Sequence, residues 1–228
     1  SRNGDLIHRM YLELDGVVPA GYSNPTSSAI TDVELEIGGQ KIDKQTGHWM
    51  EVWSELTVPN TSGMRGMYNG SPEVQTGATL FQHMSGQGGV QSDNAASAAC
   101  KFFVPLQFWF CRNPGLALPL IALQYHEVKI ILNHKVGTAL TTSAANRLWV
   151  DYIYLDTDER RRFAQVSHEY LIEQVQEQSW TDTQTELNFN HPVKELIMSK
   201  KRNFIFDGSN AVQAVALSGT GIKLKLNG

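Results

Sequence analysis

The sequence of 228 residues is poor in cysteine and has no long run of basic residues. Only Cys100 and Cys111 occur; they cannot form a disulfide framework, they lack the spacing of a zinc site, and they indicate a reducing compartment. The formal net charge of −4, without a long basic run, argues against nucleic-acid binding through a charged surface. The hydrophobic fraction of 41% is nevertheless enough to fill a core.

The motifs of common enzyme chemistry are missing as well. The seven histidines show no HxH or HExxH spacing, which argues against a metal centre. No GxSxG elbow occurs, and Cys111 has no recognisable His/Asn partner pattern. The glycine-rich stretch "SGQGGV" (85–90) lacks the GK[ST] of a phosphate-binding loop, so we attribute its glycines to loop flexibility. We therefore predict no catalytic residue, no metal and no cofactor.

The longest apolar stretch, residues 105–132, does not fit a membrane span. A span needs about 20 predominantly apolar residues, but Arg112 and Glu127 are among the polar residues that interrupt this one. Pro114 and Pro119 remove backbone donors and oppose a continuous helix. The composition instead predicts a strand, a turn, a buried segment and a second strand, in the order "CKFFVPLQFWF", "RNPG", "LALPLIAL" and "HEVKIIL".

Other stretches predict strands too. Residues 5–14 alternate in polarity, and residues 32–43 predict a hairpin in which "DVELEI" alternates before a Gly-Gly turn. Further strands are predicted at 147–156 and, more weakly patterned, at 169–178, 185–190, 195–200, 203–208 and 221–228. Residues 46–58 have helical spacing, and residues 59–98 form a long loop rich in Gly, Ser and Asn. Many short strands with few helices predict an all-β fold, a jelly-roll β-sandwich.

The strand pattern also predicts which side chains fill the sandwich. We expect the inward-facing apolar residues to be largely buried and Glu34 and Glu36 to be exposed or paired. The expected core is Val33, Leu35, Ile37, Phe103, Phe108, Phe110, Leu118, Leu120, Val128, Ile130, Val150 and Ile153.

Five stretches, in this order, carry a resemblance to a known family: "RNGDLI", "DVELEIGGQKIDK", "NPGLALPLIALQYHEVKI", "WVDYIYLDTDERRRFAQVSHEYLIEQVQ" and "LNFNHPVKEL". They resemble the double jelly-roll major capsid proteins of nucleocytoplasmic large DNA viruses, and the pattern is most similar to chlorovirus and other phycodnavirus-like proteins. The resemblance covers most of the chain outside 59–98 and 133–146. Its third stretch is long and idiosyncratic, which argues against chance similarity.

The resemblance implies two jelly rolls per chain and trimers of pseudo-hexagonal outline that tile an icosahedral shell. A charged stretch, "TDERRRFAQ" (157–165), separates the strands before it from those after it. We therefore expect residues 1–156 to form the first jelly roll without its N-terminal strand, 157–167 to form a linker, and 168–228 to form the start of the second jelly roll. The chain would then be a fragment lacking both ends. We expect unpaired strands after residue 168 and exposed apolar residues there, such as Leu187, Phe189, Phe204 and Phe206.

On the same basis we expect a homotrimeric structural subunit of the virion capsid, not an enzyme, assembled in the host cytoplasm. Its expected partners are copies of itself, neighbouring capsomers and minor capsid proteins, with no direct contact to nucleic acid and no membrane insertion.

Three features keep alternatives open. A jelly-roll carbohydrate-binding module would need exposed, coplanar rings, which Trp49, Trp53 and Trp109 could supply. His126-Glu127 invites a metal or acid–base role, but neighbours on a strand point to opposite faces, which favours a structural role. Asn60-Thr61-Ser62 matches the N-glycosylation pattern in the long loop and makes Asn60 the candidate glycosylation site.

Overall fold

The computed structural model describes residues 4–18, 24–61, 67–68, 75–76, 79–92, 99–136, 140–142, 146–180, 184–198 and 224–225. Its strands are β1 (Leu6–Val17), β2 (Ile30–Ile37), β3 (Gln40–Thr46), β4 (Met67–Tyr68), β5 (Gln75–Thr76), β6 (Gln91–Ser92), β7 (Ala99–Pro105), β8 (Leu118–Pro119), β9 (Val128–His134), β10 (Thr141–Thr142) and β11 (Arg147–Ile153). Its helices are α1 (Pro25–Ala29), α2 (Gly47–Thr57), α3 (Leu80–Ser85), α4 (Trp109–Arg112) and α5 (Thr157–Gln165), with a 3-10 turn at Pro114–Leu116.

The larger sheet is built around the long strand β1. Strands β7 and β8 lie end to end along one edge of β1, and β11 and β10 along the other, since Tyr11 pairs with both Pro105 and Trp149. All four pairings are antiparallel. The alternation in residues 5–14 therefore predicted a strand correctly, and this strand has partners on both sides.

The smaller sheet has the order β3-β2-β9 and contains the predicted hairpin. Gly38 and Gly39 form its two-residue turn with φ values of 60° and 82°; only glycine adopts such a pair of left-handed conformations readily. Glu34, on the outer face, lies 2.7 Å from Lys41 and 3.2 Å from Lys44. The predicted pairing of the outward carboxylates is thus confirmed.

Both sheets contribute to one core. Its members come from β1, β2 and β7 and from the segment that follows β7: Leu12, Leu14, Val33, Leu35, Phe102, Val104, Phe108 and Phe110 are all buried. Each such large side chain contributes about 1.5–3 kcal/mol on burial. These two sheets form an antiparallel sandwich, which confirms the predicted fold class.

The predicted core residues are all buried or half-buried, and ten of the twelve lie in the core or pack against it. Val33, Leu35, Phe108, Phe110 and Leu118 are buried. The other seven are half-buried: Ile37, Phe103, Leu120, Val128, Ile130, Val150 and Ile153. The core assignment of Phe103 and Ile153 is wrong, since neither packs against the core. Phe103 follows the buried Phe102 on β7 and so points to the opposite, outer face of the sheet.

Residues 100–123 differ from the prediction. The strand ends at Pro105, which has no N–H to continue the ladder, and the chain then turns into helix α4. The segment around "LALPLIAL" contributes only the two-residue strand β8 before turns begin. Phe108, Phe110 and Leu118 are buried as expected, whereas four of the eight residues of "LALPLIAL" are only half-buried and Ala122 is exposed. An apolar run alone cannot distinguish a strand from a short helix.

Two other regions depart from the sequence reading. The loop 59–98 contains helix α3, whose N-terminus is closed by a capping box between Thr79 and Gln82, and three two-residue strands. Residues 168–180 and 184–198 form no ladder in the part of the chain that the structure describes, and Leu171, Val193 and Met198 are exposed there. Leu187 and Phe189, which we expected to be exposed, are half-buried; Phe204 and Phe206 lie outside the described residues.

Candidate assembly surfaces and the junction at strand β3

The segment that follows helix α5 contacts the edge of the smaller sheet at strand β3. Strand β3 is an edge strand with a bulge: Leu35 pairs with Asp43 and Glu36 with Lys41, which leaves Ile42 as the extra residue. The carbonyl of Ile42 accepts a hydrogen bond from the Gln174 side chain at 2.5 Å. A bulge blocks continued strand pairing at an edge, so the incoming segment binds by separate contacts.

The main contact at this junction is a buried carboxylate. Asp43 is 3% exposed, and its Oδ1 accepts the backbone N–H of Val175 at 3.0 Å and that of Lys44 at 2.9 Å. The Gln45 side chain donates to Oδ2 at 2.9 Å. Burial raises the pKa of Asp43, and these hydrogen bonds act in the opposite direction. The carboxylate thereby fixes the position of Val175 against the first sandwich.

A charged cluster supports the junction from helix α4. Arg112 lies 2.7 Å from Glu173 and stacks over the ring of Trp53, with 4.3 Å between its guanidinium carbon and the ring centroid. Lys194 also pairs with Glu173, and this second cation contributes most to a lowered pKa of Glu173. The segment that follows α5 therefore meets the sandwich through Glu173, and Lys194 binds the same carboxylate from a later stretch of the chain.

The outer face of the larger sheet carries a second candidate surface. Tyr11 pairs with Trp149, and Glu13 pairs with Phe103 and Arg147, so these side chains share one face. Trp149 is 51% exposed, and Tyr11 and Phe103 are half-buried. Aromatic side chains are enriched in protein–protein interfaces, and this face has the composition of one.

Glu13 lies buried beneath that aromatic surface. The indole N–H of Trp149 donates to Glu13 at 2.5 Å, Lys101 lies 3.1 Å away and Arg147 3.6 Å. The Trp149 hydrogen bond, followed by the contact with Lys101, lowers the pKa of Glu13. This carboxylate stays ionised at neutral pH and links three neighbouring strands.

The tryptophans that the carbohydrate-binding alternative would need are not arranged as a platform for a sugar. Trp109 is buried. Trp49 and Trp53 are half-buried and stack on each other with 5.5 Å between ring centroids, and Arg112 covers Trp53. Nothing in this arrangement favours the carbohydrate-binding alternative.

The His126-Glu127 pair has structural contacts. The carbonyl of Glu127 accepts the N–H of Gly38 at 2.8 Å, and its carboxylate pairs with Lys129 at 3.2 Å. His126 lies so close to Gly38 that a Cβ there would stand 2.6 Å from Nδ1. Both residues thus support the hairpin turn, and in the described part of the chain no three His, Cys, Asp or Glu side chains gather to hold a metal ion.

Cys111 is not poised as a nucleophile. Burial raises the pKa of its thiol to about 12, so the thiol stays protonated at neutral pH.

None of the helices among the described residues is both long and apolar enough to cross a bilayer.

Asn60 and Thr61 are exposed just after helix α2, as a glycosylation acceptor requires. Ser62, the third residue of the pattern, lies outside the described residues. Occupancy of Asn60 stays a prediction.

Comparison with known proteins decides the family. A family model described as the major capsid protein N-terminus matches residues 1–156. The chain belongs to the major capsid protein family. The resemblance predicted from the five sequence stretches is thereby confirmed.

The curated relatives and solved structures agree. A major capsid protein of Pyramimonas orientalis virus is 46% identical over 100% of this chain and 56% of its own length; that of Paramecium bursaria Chlorella virus 1 is 39% identical over 86% and 46%. The crystal structure of PBCV-1 VP54, fitted into a reconstruction of the virophage Sputnik, is similar with a TM-score of 0.56 at 39% identity, over 76% of this chain and 41% of that one. The chain spans about half the length of the curated relatives it matches.

Sequence reasoning missed the buried carboxylates, although one signal was available. The buried positions of α2 are Gly47, Met50, Glu51 and Ser54. Their spacing of three to four residues is that of one face of a helix. A helix face that includes two small residues and one glutamate indicates close contact with another backbone and a polar partner for the glutamate. No comparable local pattern marks Asp43 or Glu13.

Proposed function

We propose that the protein containing this chain is the major structural subunit of an icosahedral capsid of a large DNA virus. The observation that carries the proposal is the capsid-family match over the whole antiparallel sandwich. The proposed role is structural: copies of the chain contact each other, neighbouring capsomers and minor capsid proteins in the virion shell, after assembly in the host cytoplasm.

We further propose the division into a first jelly roll at 1–156, a linker at 157–167 and the start of a second jelly roll at 168–228. Three observations support it. The family model ends at residue 156, helix α5 begins at Thr157, and Leu171 and Val193 beyond it are exposed, as in a domain whose partner strands lie elsewhere in the chain.

Assembly follows from this architecture by symmetry. Two similar sandwiches per chain and three chains per ring give six near-equivalent units, and cyclic symmetry uses each contact surface three times. We therefore propose a homotrimer of pseudo-hexagonal outline.

Mass determination in solution and electron microscopy of the protein at its natural length test this proposal. A trimeric mass and particles of hexagonal outline are expected. A protein that stays monomeric or dimeric at every concentration contradicts the capsomer.

A further inference from the structure

Helix α5 is attached to the sandwich at its start by the carboxylate of Asp5. Asp5 is 8% exposed, and its Oδ2 accepts the backbone N–H of Leu155 at 2.8 Å and the guanidinium of Arg160 at 3.0 Å. The hydrogen bond from Leu155 lowers the pKa of Asp5 most, burial opposes it, and Arg160 lowers the pKa further. Leu155 follows β11 and Arg160 lies in α5, so this one oxygen joins the end of the strand to the helix.

Beyond the helix the chain is attached a second time, at Asp43 on β3. Asp43 accepts the backbone N–H of Val175 at 3.0 Å, and Ile172 packs against the core. The two anchors belong to different sheets, since Asp5 directly precedes β1 and β3 is the edge strand of the smaller sheet. The segment between them therefore crosses from one sheet of the sandwich to the other.

The turn that follows α5 is held by a contact of its own. His168 donates from Nε2 to the carbonyl of Phe163 at 2.8 Å, and the two rings stack with 4.8 Å between their centroids. A cavity of about 300 Å³ lies between Val166 and His168 of this turn and Trp109 of the sandwich. Part of the linker is thus not packed against the sandwich, which leaves the attachment to the contacts at its two ends.

A third buried carboxylate binds backbone amides in the same way elsewhere in the fold. Oε1 of Glu51, on α2, accepts the N–H groups of Gly88 and Gly89, each at 3.0 Å. These glycines have φ values of +84° and +87°, which glycine adopts at little cost. The glycine-rich stretch 85–90 is thus held in place by a side chain, and the flexibility that we expected for it is wrong. Carboxylates that bind the backbone of a distant segment are a recurrent means of attachment in this fold.

We propose that residues 155–175 form a fixed spacer and not a hinge. Asp5 and Asp43 attach its two ends to the first jelly roll, and thereby set the direction in which the second jelly roll leaves it. A chain held at a single point can turn about that point, whereas attachment at two separate points prevents this rotation. The inference rests on the proposed division at residues 157–167. It differs from the ordinary behaviour of two domains joined by a small interface, which move relative to each other.

Hydrogen exchange followed by mass spectrometry tests each anchor in the protein at its natural length. The amides to follow are those of Leu155 and Val175, which the two carboxylates bind. A hydrogen bond to a charged group slows local opening by about tenfold or more. Asp5→Ala should therefore speed exchange by about tenfold or more in a peptide that contains residue 155. Asp43→Ala should do the same in a peptide that contains residue 175.

Matched variants separate the contacts at the first anchor. Arg160→Ala removes only the partly exposed partner of Asp5, so exchange at residue 155 should rise less than in Asp5→Ala. The variant with both changes should exchange about as fast as Asp5→Ala alone, because the two side chains share one contact. Arg161→Ala, at the exposed neighbouring position on α5, is the control and should change nothing. Glu51→Ala should open residues 80–92 and leave the linker as in wild type.

Distances between spin labels distinguish a spacer from a hinge. The labels replace Asp151 on β11 and Glu177 just beyond the second anchor, both exposed, in protein that also carries Cys100→Ser and Cys111→Ser. Labelled chains are diluted with unlabelled protein, so that only distances within one chain are measured. We expect one narrow distance distribution when both anchoring carboxylates are present and a broad one in the variant that lacks both.

Three results would overturn the proposal: a broad distribution with both carboxylates present, a narrow one without them, or unchanged exchange at residues 155 and 175 in the alanine variants. If the variant that lacks both carboxylates does not fold, Asp5→Ala alone serves, and a distribution as narrow as in wild type would then overturn the proposal. Mass determination tests the capsomer separately. A trimer with a broad distribution overturns the spacer alone, and a monomer with a narrow distribution overturns the trimer alone.

Discussion

Asp43→Ala is expected to loosen the junction between the first sandwich and the segment that follows helix α5. The substitution removes three hydrogen bonds, from Val175, Lys44 and Gln45. At about 1 kcal/mol each their loss amounts to roughly 3 kcal/mol. The alanine also removes a carboxylate that is costly to bury, as its raised pKa indicates. We therefore expect a net loss of about 2 kcal/mol in the free energy of unfolding.

The conservative variant separates the hydrogen bonds from the charge. Asp43→Asn keeps the oxygen that accepts from Val175 and Lys44, but it places an amide N–H2 opposite the donor of Gln45. We expect it to lose about 1 kcal/mol while it keeps the junction closed. Asp151→Ala, at an exposed position on β11, is the matched control and should change stability by less than ~0.5 kcal/mol.

Two measurements on the protein at its natural length test this reasoning. Urea denaturation gives the free energy of unfolding, and limited trypsin digestion reports on the junction, because Arg160, Arg161 and Arg162 lie in α5. Under native conditions cleavage in α5 should be several-fold faster in Asp43→Ala than in wild type or Asp43→Asn. Destabilisation without faster cleavage would show that Asp43 supports only the first sandwich. Unchanged stability in Asp43→Ala would refute the assignment altogether.

The remaining predictions concern the outer sheet face and the glycosylation site. Trp149→Phe keeps an aromatic ring but removes the N–H donated to Glu13, so it should destabilise the protein at neutral pH. The folded-state pKa of Glu13 lies below its ordinary 4.5, so this hydrogen bond stabilises the folded protein above pH 4.5. The difference in free energy of unfolding between Trp149→Phe and wild type should therefore shrink as the pH falls below 4.5. A difference that does not change with pH in urea titrations would contradict this. Asn60→Gln in virions should abolish the mass of a glycan on peptides that contain residue 60, and an unmodified Asn60 in wild-type virions would refute glycosylation there.

Local interactions were predictable from the sequence. The β2–β3 hairpin depends on six alternating residues and two glycines, all within a few positions of each other, and both its turn and its buried face agree with the structure. Helix α2 likewise agrees within a residue or two, because Thr46 caps it by accepting the N–H of Trp49. In contrast, the strand predicted over residues 100–110 ends at Pro105 and is followed by helix α4. Burial on all sides removes the periodicity that distinguishes a strand from a turn or a short helix.

The candidate sites could not be predicted in the same way, because their partners are distant in sequence. Glu51 binds amides 37 and 38 residues away, and Asp43 binds one 132 residues away. Moreover, those partners are backbone N–H groups, which every residue except proline carries, so no side-chain type marks them. The partners of Glu13, unlike those of Glu51 and Asp43, are the side chains of Trp149 and Lys101 on adjacent strands. That contact can therefore be predicted once the register of the strand pairing is known. A buried carboxylate that is bound by backbone amides thus constrains the backbone conformation of its partner segment, but it places little constraint on the side chains of that segment. For residues 85–90 that conformation requires the glycines themselves, and this is why a stretch that looked flexible in the sequence is held in place in the fold.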